Sequence, residues 1–227
     1  MGKMNKWQIL AGIIVFGSIW GMLECLLGSV KFTGLMAEFP MGALLGGFFG
    51  LGIMAFTRRL YGVLWMQLGM AIVAGLLRFW APIGACVVCS ALAIMAEGLV
   101  FELIFNRPVF NITASGGRDL RNPWTLAFLG IIAGFAIYTV GYMFTQVFTP
   151  IVAPPHIFTP ANFVAVLPLI LGRGFFAALF GGLALPVAVL AKHIHLNINE
   201  MPGKHYFAIA TAVTAFAWIS VLAYFHL

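Results

Sequence analysis

The sequence predicts an all-α protein: a polytopic transmembrane helical bundle of about seven spans, with the N-terminus cytoplasmic. Apolar stretches approach the roughly 20 residues that a helix needs to cross about 30 Å of hydrocarbon. Basic residues gather on alternate loops. Composition agrees, since 63% of the 227 residues are hydrophobic, 8% are charged and 22 are Phe, for a mean hydropathy of +1.06. A membrane barrel would instead show short alternating strands.

Seven stretches qualify or nearly qualify, namely Trp7–Ser29, Met41–Phe56, Gly62–Phe79, Ile83–Phe105, Trp124–Phe148, Phe163–Ala191 and Tyr206–Phe225. The first is full length and is followed by Lys31 rather than a small-residue cleavage site, so a retained helix is expected in place of a signal peptide. The second and third are short, and six spans are the alternative count. The sixth is long enough to tilt, to kink at Pro168 or Pro186, or to begin outside the membrane. Trp7, Trp80, Trp124, Tyr206 and Tyr224 lie near span ends, where aromatic residues anchor a bundle.

With the N-terminus inside, Lys3, Lys6, Arg58, Arg59, Arg107, Arg118, Arg121, Lys192 and Lys204 all fall on the cytoplasmic side. Lys31 and Arg78 then lie near the outer surface and Arg173 within a span. The net charge of +6 is explained by this topology and by anionic lipid, without a nucleic-acid partner. The expected location is a prokaryotic plasma membrane, multi-pass.

Short loops make 1–227 a single transmembrane domain with no soluble catalytic module. Ser115-Gly116-Gly117-Arg118, in the inner loop Asn106–Pro123, lacks the spacing of a Walker phosphate loop and reads as a turn. The outer loop Thr149–Asn162 carries Pro150, Pro154, Pro155 and Pro160 around His156, a stiff extended cap or a linker. His193, His195 and His205 cluster with Lys192 and Lys204 as a solvated interfacial loop, with a metal site as the alternative.

Within the apolar stretches three ionisable residues stand out: Glu24, Glu97 and Arg173. A charge at the centre of a membrane helix costs about 2.5–3.5 kcal/mol on insertion scales, so such groups pair, face the bundle interior or meet a polar ligand. Gly17, Gly21, Glu24 and Gly28 share one helical stripe by their 0, 4, 7, 11 spacing. Small residues so spaced let another backbone approach, which predicts a packed face. Cys86, Ser90, Ala93 and Glu97 repeat the spacing on the fourth span. Further glycine series, Gly42, Gly46 and Gly50 and then Gly130, Gly134 and Gly141, read as packing surfaces.

Arg173 lies between Gly172 and Gly174 and stays charged, so it demands a carboxylate, a phosphate or carbonyls. Two arrangements satisfy it: an internal ion pair with Glu24 or Glu97, or a site in which Arg173 holds an anionic solute group while a Glu holds a cationic one. Glu102, one turn beyond Glu97, is expected to snorkel at the interface. Cys86 and Cys89 form a C-x-x-C read as lying inside a helix, with Cys25 beside Glu24. Packing is the expected role of all three cysteines, with a site for a soft metal ion as the alternative, and no structural disulfide is expected to be required.

The first half of the chain carries Gly17-Ser-Ile-Trp20-Gly21-Met-Leu-Glu24-Cys-Leu-Leu-Gly28, then Phe39-Pro40-Met-Gly42, then Ala81-Pro82-Ile-Gly84 leading to Ala93-Ile-Met-Ala-Glu97-Gly98. These segments look like a group of prokaryotic integral membrane proteins that in turn resembles the substrate-binding S components of energy-coupling-factor (ECF) transporters. The resemblance implies a small helical bundle that captures a vitamin-like solute from outside. Uptake would rely on a coupling transmembrane subunit and two ATPases, with no cofactor and no catalysis by this chain. The usual S component has six spans and an alanine-x-x-x-alanine contact motif, where this chain offers Gly17 and Gly21. Met1-Gly2-Lys3 departs from the Met-His terminus of cobalt and nickel versions.

A substrate site of this kind would lie under the Lys31–Pro40 loop, with Glu24, Arg78, Glu97 and Arg173 as polar contacts and Trp20, Phe79 and Trp80 as apolar walls. The competing readings are an intramembrane metal- or thiol-handling protein or enzyme using Cys25, Cys86, Cys89 and Glu97, and a structural subunit of a larger membrane complex.

Overall fold

The computed structural model describes residues 5–30, 39–82, 86–107, 110, 112, 122–152, 160–190 and 203–226, the side chains of 148–152 and 160–163 excepted. Lys31–Glu38, the Ser115–Arg118 turn, residues 153–159 of the expected cap with His156, and Lys192, His193 and His195 lie outside the described residues, while the two ends of that cap are helical instead of extended, 149–152 closing α6 and 160–162 opening α7. Among the described residues every regular element is helical. They are α1 (Lys6–Gly28), α2 (Met41–Leu44), a π-helical segment (Leu45–Gly50), α3 (Leu51–Tyr61), α4 (Met66–Arg78), α5 (Val87–Phe105), α6 (Pro123–Val152), α7 (Pro160–Leu190) and α8 (Gly203–His226).

Among the described residues six stretches are long and apolar enough to cross a membrane: Lys6–Gly28, Met41–Tyr61, Val87–Phe105, Pro123–Val147, Val164–Leu190 and Gly203–His226. Met41–Tyr61 runs past its expected end at Phe56. Thr57 returns its hydroxyl to the Ile53 carbonyl at 2.8 Å, and the Arg58 charge is taken up inside the bundle by Glu102. The expected third span, Gly62–Phe79, is reduced to the 13 residues of α4. That is about 20 Å at 1.5 Å per residue, short of the hydrocarbon thickness. The loss is at its start, where Gly62 (φ 63) and Trp65 (φ 65) both take left-handed backbone to reverse the chain.

α1 begins with a capping box: Asn5 accepts from the Trp7 amide at 3.2 Å while the Asn5 amide donates to Gln8 at 3.1 Å. The bundle end holding this cap is termed proximal and the other distal. α4 runs alongside α1 in the same direction, Gly17 lying against Met70 and Val73, and Gly21 against Ala74 and Leu77. The glycine stripe of α1 is therefore a packed face, as its spacing predicts. α4 carries the chain from the proximal to the distal end between the two helices that run the other way.

The same logic joins α6 to α7. A Cβ on Gly130 would strike the Gly181 carbonyl, and one on Gly134 would lie 2.5 Å from the Ala177 carbonyl. Only glycine admits backbones this near. α7 continues through Pro168 and Pro186 as one helix of 31 residues, about 46 Å long. α8 packs on α1 through polar ties at both ends. Proximally, Tyr61 donates to Tyr206, which donates to the Gln8 carbonyl at 2.8 Å. Midway along α1, Trp218 donates to Ser18 at 3.0 Å, and distally Ser29 meets Tyr224 at 3.2 Å. The central core holds Trp20, Leu51, Met54, Phe101, Leu126 and Ile137, all fully buried.

Candidate functional site

Glu97 stands on α5 facing α6 together with Ala93 of its stripe, whose carbonyl would lie 3.2 Å from a Cβ on Gly141. Its side chain is 6% exposed. Two glycines make its room: a Cβ on Gly46 would sit 3.1 Å from Oε1, and one on Gly141 would sit 3.0 Å from the same oxygen. Gly46 belongs to the π-helical segment. The extra residue per turn of such a segment re-aims its neighbours, and here Gly46 faces Glu97, Gly47 meets the backbone of Ala177 and Gly50 lies against Trp20. Glu97 Oε2 has no hydrogen-bond partner among the described residues.

Glu24 approaches from α1. Trp20, one turn earlier and fully buried, donates its indole N–H to Glu24 Oε1 at 3.2 Å. Glu24 and Glu97 are close enough to interact electrostatically, and Arg78 acts on Glu24 in the same way. Arg78 also donates to the Ala81 carbonyl and so closes the distal end of α4.

Arg173 reaches in from α7. It donates to the Tyr142 hydroxyl at 3.0 Å, with its guanidinium 5.3 Å from the centre of that ring. Tyr138, one turn before Tyr142, stacks on it at 5.7 Å with 14° between planes. Tyr138 lies within electrostatic reach of both Arg173 and Glu97, and its hydroxyl would sit 3.2 Å from a Cβ on Gly42. The two tyrosines thus stand between the cationic and anionic members of one polar centre. Beside them, Thr139 points a buried hydroxyl with no described partner toward Gly174.

The structure brings together Glu24, Glu97, Trp20 and Arg78, and links Arg173 to them through Tyr138. The internal ion pair of Arg173 with Glu24 or Glu97 is not formed. A cation of fixed charge is held instead by a phenol hydroxyl and an aromatic face. Trp80 is not drawn into the centre: it is half exposed, its ring edge-on to His226 at 6.3 Å and its carbonyl 2.7 Å from His226 Nε2. Phe79 is likewise exposed at the distal surface.

An ion pair does form between Arg58 and Glu102, both essentially buried. Glu102 does not snorkel. Its other oxygen accepts from the Gln67 amide nitrogen at 3.1 Å, and Arg58 also donates to the Val63 carbonyl at 2.8 Å. The Gln67 side chain completes the network, donating to Glu102 at 2.9 Å and accepting from the Arg58 amide at 3.0 Å. The burial follows from the reversal at residues 62–65, which folds α4 over both charges.

The cysteines also depart from expectation. Cys86 and Cys89 are joined by a disulfide, and the pair opens α5 instead of lying inside it: Cys86 is the N-cap, its sulfur accepting from the Cys89 amide at 3.2 Å. Cys25 is a buried free thiol directed at the Leu77 carbonyl. No group of three His, Cys, Asp or Glu side chains among the described residues is placed to hold a metal ion.

Sequence reasoning missed Tyr138 and Tyr142, although two tyrosines one turn apart around Gly141 in an apolar span are a readable signal. It also missed the π-helical segment, for which the glycines of Leu45–Gly50 are a weak one. The chain matches no protein-family model, no curated protein and no solved structure.

Proposed function

We propose that the chain is the solute-binding subunit of a membrane uptake system, of the S-component type, and that the polar centre around Glu97 is where a small polar or vitamin-like solute is held. The observation that carries this reading is the unpartnered Glu97 Oε2, buried beside glycines that keep side chains away from it. A buried acceptor without a donor costs about 1–3 kcal/mol, and a donor-bearing solute group removes that cost. Arg173 and the stacked Tyr138–Tyr142 pair supply a second pole, so the preferred solute has a cationic or amine group for the carboxylates and an anionic or planar group for the arginine and rings.

In this reading the chain crosses a prokaryotic plasma membrane seven times, α4 being the short crossing, with the proximal end cytoplasmic. The distal end then faces outward, and solute enters from there past Glu24 and Arg78. ATP is used by partner ATPases through a coupling transmembrane subunit. The glycine-lined faces of α1 and α6 are already occupied by α4 and α7, which disfavours the alternative in which these stripes bind a larger assembly.

The test is gentle extraction followed by native mass spectrometry and identification of copurifying chains. A retained small molecule together with an ATPase and a coupling subunit is the expected result. Glu24→Gln and Arg173→Ala should each abolish retention in a folded bundle. Wild-type retention in both variants would overturn the site, and unfolding of both would assign these residues to structure.

A further inference from the structure

A feature independent of the polar centre lies at the distal end of α5. Cys86 and Cys89 form a disulfide across a single turn at a helix N-terminus. A crosslink confers stability in proportion to the chain entropy that its loop removes, which is least for a loop this short. The four residues are also held by the turn itself, since the Cys89 amide donates to Cys86 Sγ at 3.2 Å and both the Ser90 amide and hydroxyl return to the Cys86 carbonyl at 3.1 Å. The disulfide therefore does little as a staple.

Its two sulfurs are not equivalent. Cys86 keeps 8% of its surface exposed whereas Cys89 has none, and Cys25, the remaining thiol, is fully buried and directed at the Leu77 carbonyl. Cys86 is therefore the residue that an incoming thiolate meets first. The atom that it finally releases is met by the Cys89 N–H and by the positive end of α5, a setting that favours a thiolate.

We propose that Cys86–Cys89 is a redox-active dithiol/disulfide couple that exchanges with thiols arriving at the distal end of the bundle, with Cys86 as the attacked sulfur. A thiolate RS⁻ attacks Cys86 Sγ, the Cys86–Cys89 bond breaks, and Cys89 leaves as a thiolate that takes up a proton. The chain then carries a Cys86–S–S–R mixed disulfide. A second RS⁻ attacks the R sulfur, forming RSSR and releasing the Cys86 thiolate at the helix N-terminus. Two thiols are oxidised to one disulfide, and the protein disulfide is reduced to a dithiol. Attack of the Cys86 thiolate on a disulfide runs the steps in reverse and regenerates the bond. The partner class is an accessible thiol, either a small one or that of a peptide.

The test uses the full-length protein in detergent, with glutathione, reduced or oxidised, as the small-thiol probe and a cysteine-containing peptide as the second. Reduction followed by maleimide labelling should add one label to the folded chain, at Cys86, leaving Cys89 and Cys25, both without exposed surface, unlabelled until denaturation. In Cys89→Ser, oxidised glutathione should form a mixed disulfide at Cys86 roughly tenfold or more faster than it does at Cys89 in Cys86→Ser. A response to glutathione alone assigns a small-thiol partner, and a faster response to the peptide assigns a peptide one. The double variant Cys86→Ala/Cys89→Ala should keep the wild-type unfolding midpoint while losing exchange. A disulfide that resists glutathione and dithiothreitol until the protein unfolds, equal reactivity of the two single-cysteine variants, or collapse of the midpoint in the double variant would each overturn the proposal. All readouts are independent of solute retention, so they stand or fall apart from the solute-binding reading.

Discussion

A Cβ on Gly46 would lie 3.1 Å from Glu97 Oε1 and 3.2 Å from the Tyr138 ring, so the π-helical segment holds open the space in front of a buried carboxylate. Gly46→Ala is accordingly expected to cost about 1–3 kcal/mol by overpacking and to lower solute retention with it. Gly52→Ala, whose Cβ would meet only Ala184 at an ordinary 3.8 Å, should be neutral or slightly stabilising. Thermal unfolding of the two variants side by side, with retention measured on each, checks the contrast.

Arg58 and Glu102 neutralise one another where water is excluded. Glu102→Ala leaves an uncompensated guanidinium, and removing one member of a buried pair typically costs about 3–5 kcal/mol. The double replacement Arg58→Met/Glu102→Leu should recover most of that loss. A double-mutant cycle in a reversible unfolding assay measures it, and additive losses would show that the two side chains are not coupled.

Tyr142→Phe deletes the hydroxyl that accepts from Arg173 while leaving the ring stack with Tyr138 in place. Hydrogen bonds to charged groups contribute about 1.5–3 kcal/mol to stability, so unfolding should shift by up to that amount, and retention should fall as Arg173 loses its positioning. Tyr142→Leu, which removes the ring as well, should lose more. Equal retention by Tyr142→Phe and the wild type would remove Arg173 positioning from the account.

Tyr206→Phe breaks the chain from Tyr61 through Tyr206 to the Gln8 carbonyl. Because α8 is tied to the bundle chiefly along α1, the expected loss of about 0.5–1.5 kcal/mol should appear as earlier release of α8. Limited proteolysis within residues 191–202, compared with global unfolding, separates local from global effects.

The helices were legible because membrane insertion imposes a length and a composition on each segment separately, and α1, α5 and α6 follow them within a few residues. Where the chain reverses, that legibility stops. Nothing in the apolar run Gly62–Phe79 announces that Gly62 and Trp65 spend its first turn on left-handed backbone, and the shortening of α4 and the burial of Arg58 both follow from it. The C-x-x-C failed for a related reason: whether a residue caps a helix or lies within it depends on the backbone just before it.

The sequence by itself determined that this is an all-helical, six-or-seven-helix apolar bundle, and that Glu24, Glu97 and the glycine stripes face protein. Those facts follow from hydrophobic period and desolvation cost, which act one segment at a time. Tertiary structure alone decided the partners: Arg58 with Glu102, Arg173 with Tyr142, and Glu97 Oε2 with none among the described residues. Charge pairing depends on distances between helices, and those are set where glycines let backbones meet, as Gly130 and Gly181 do between α6 and α7.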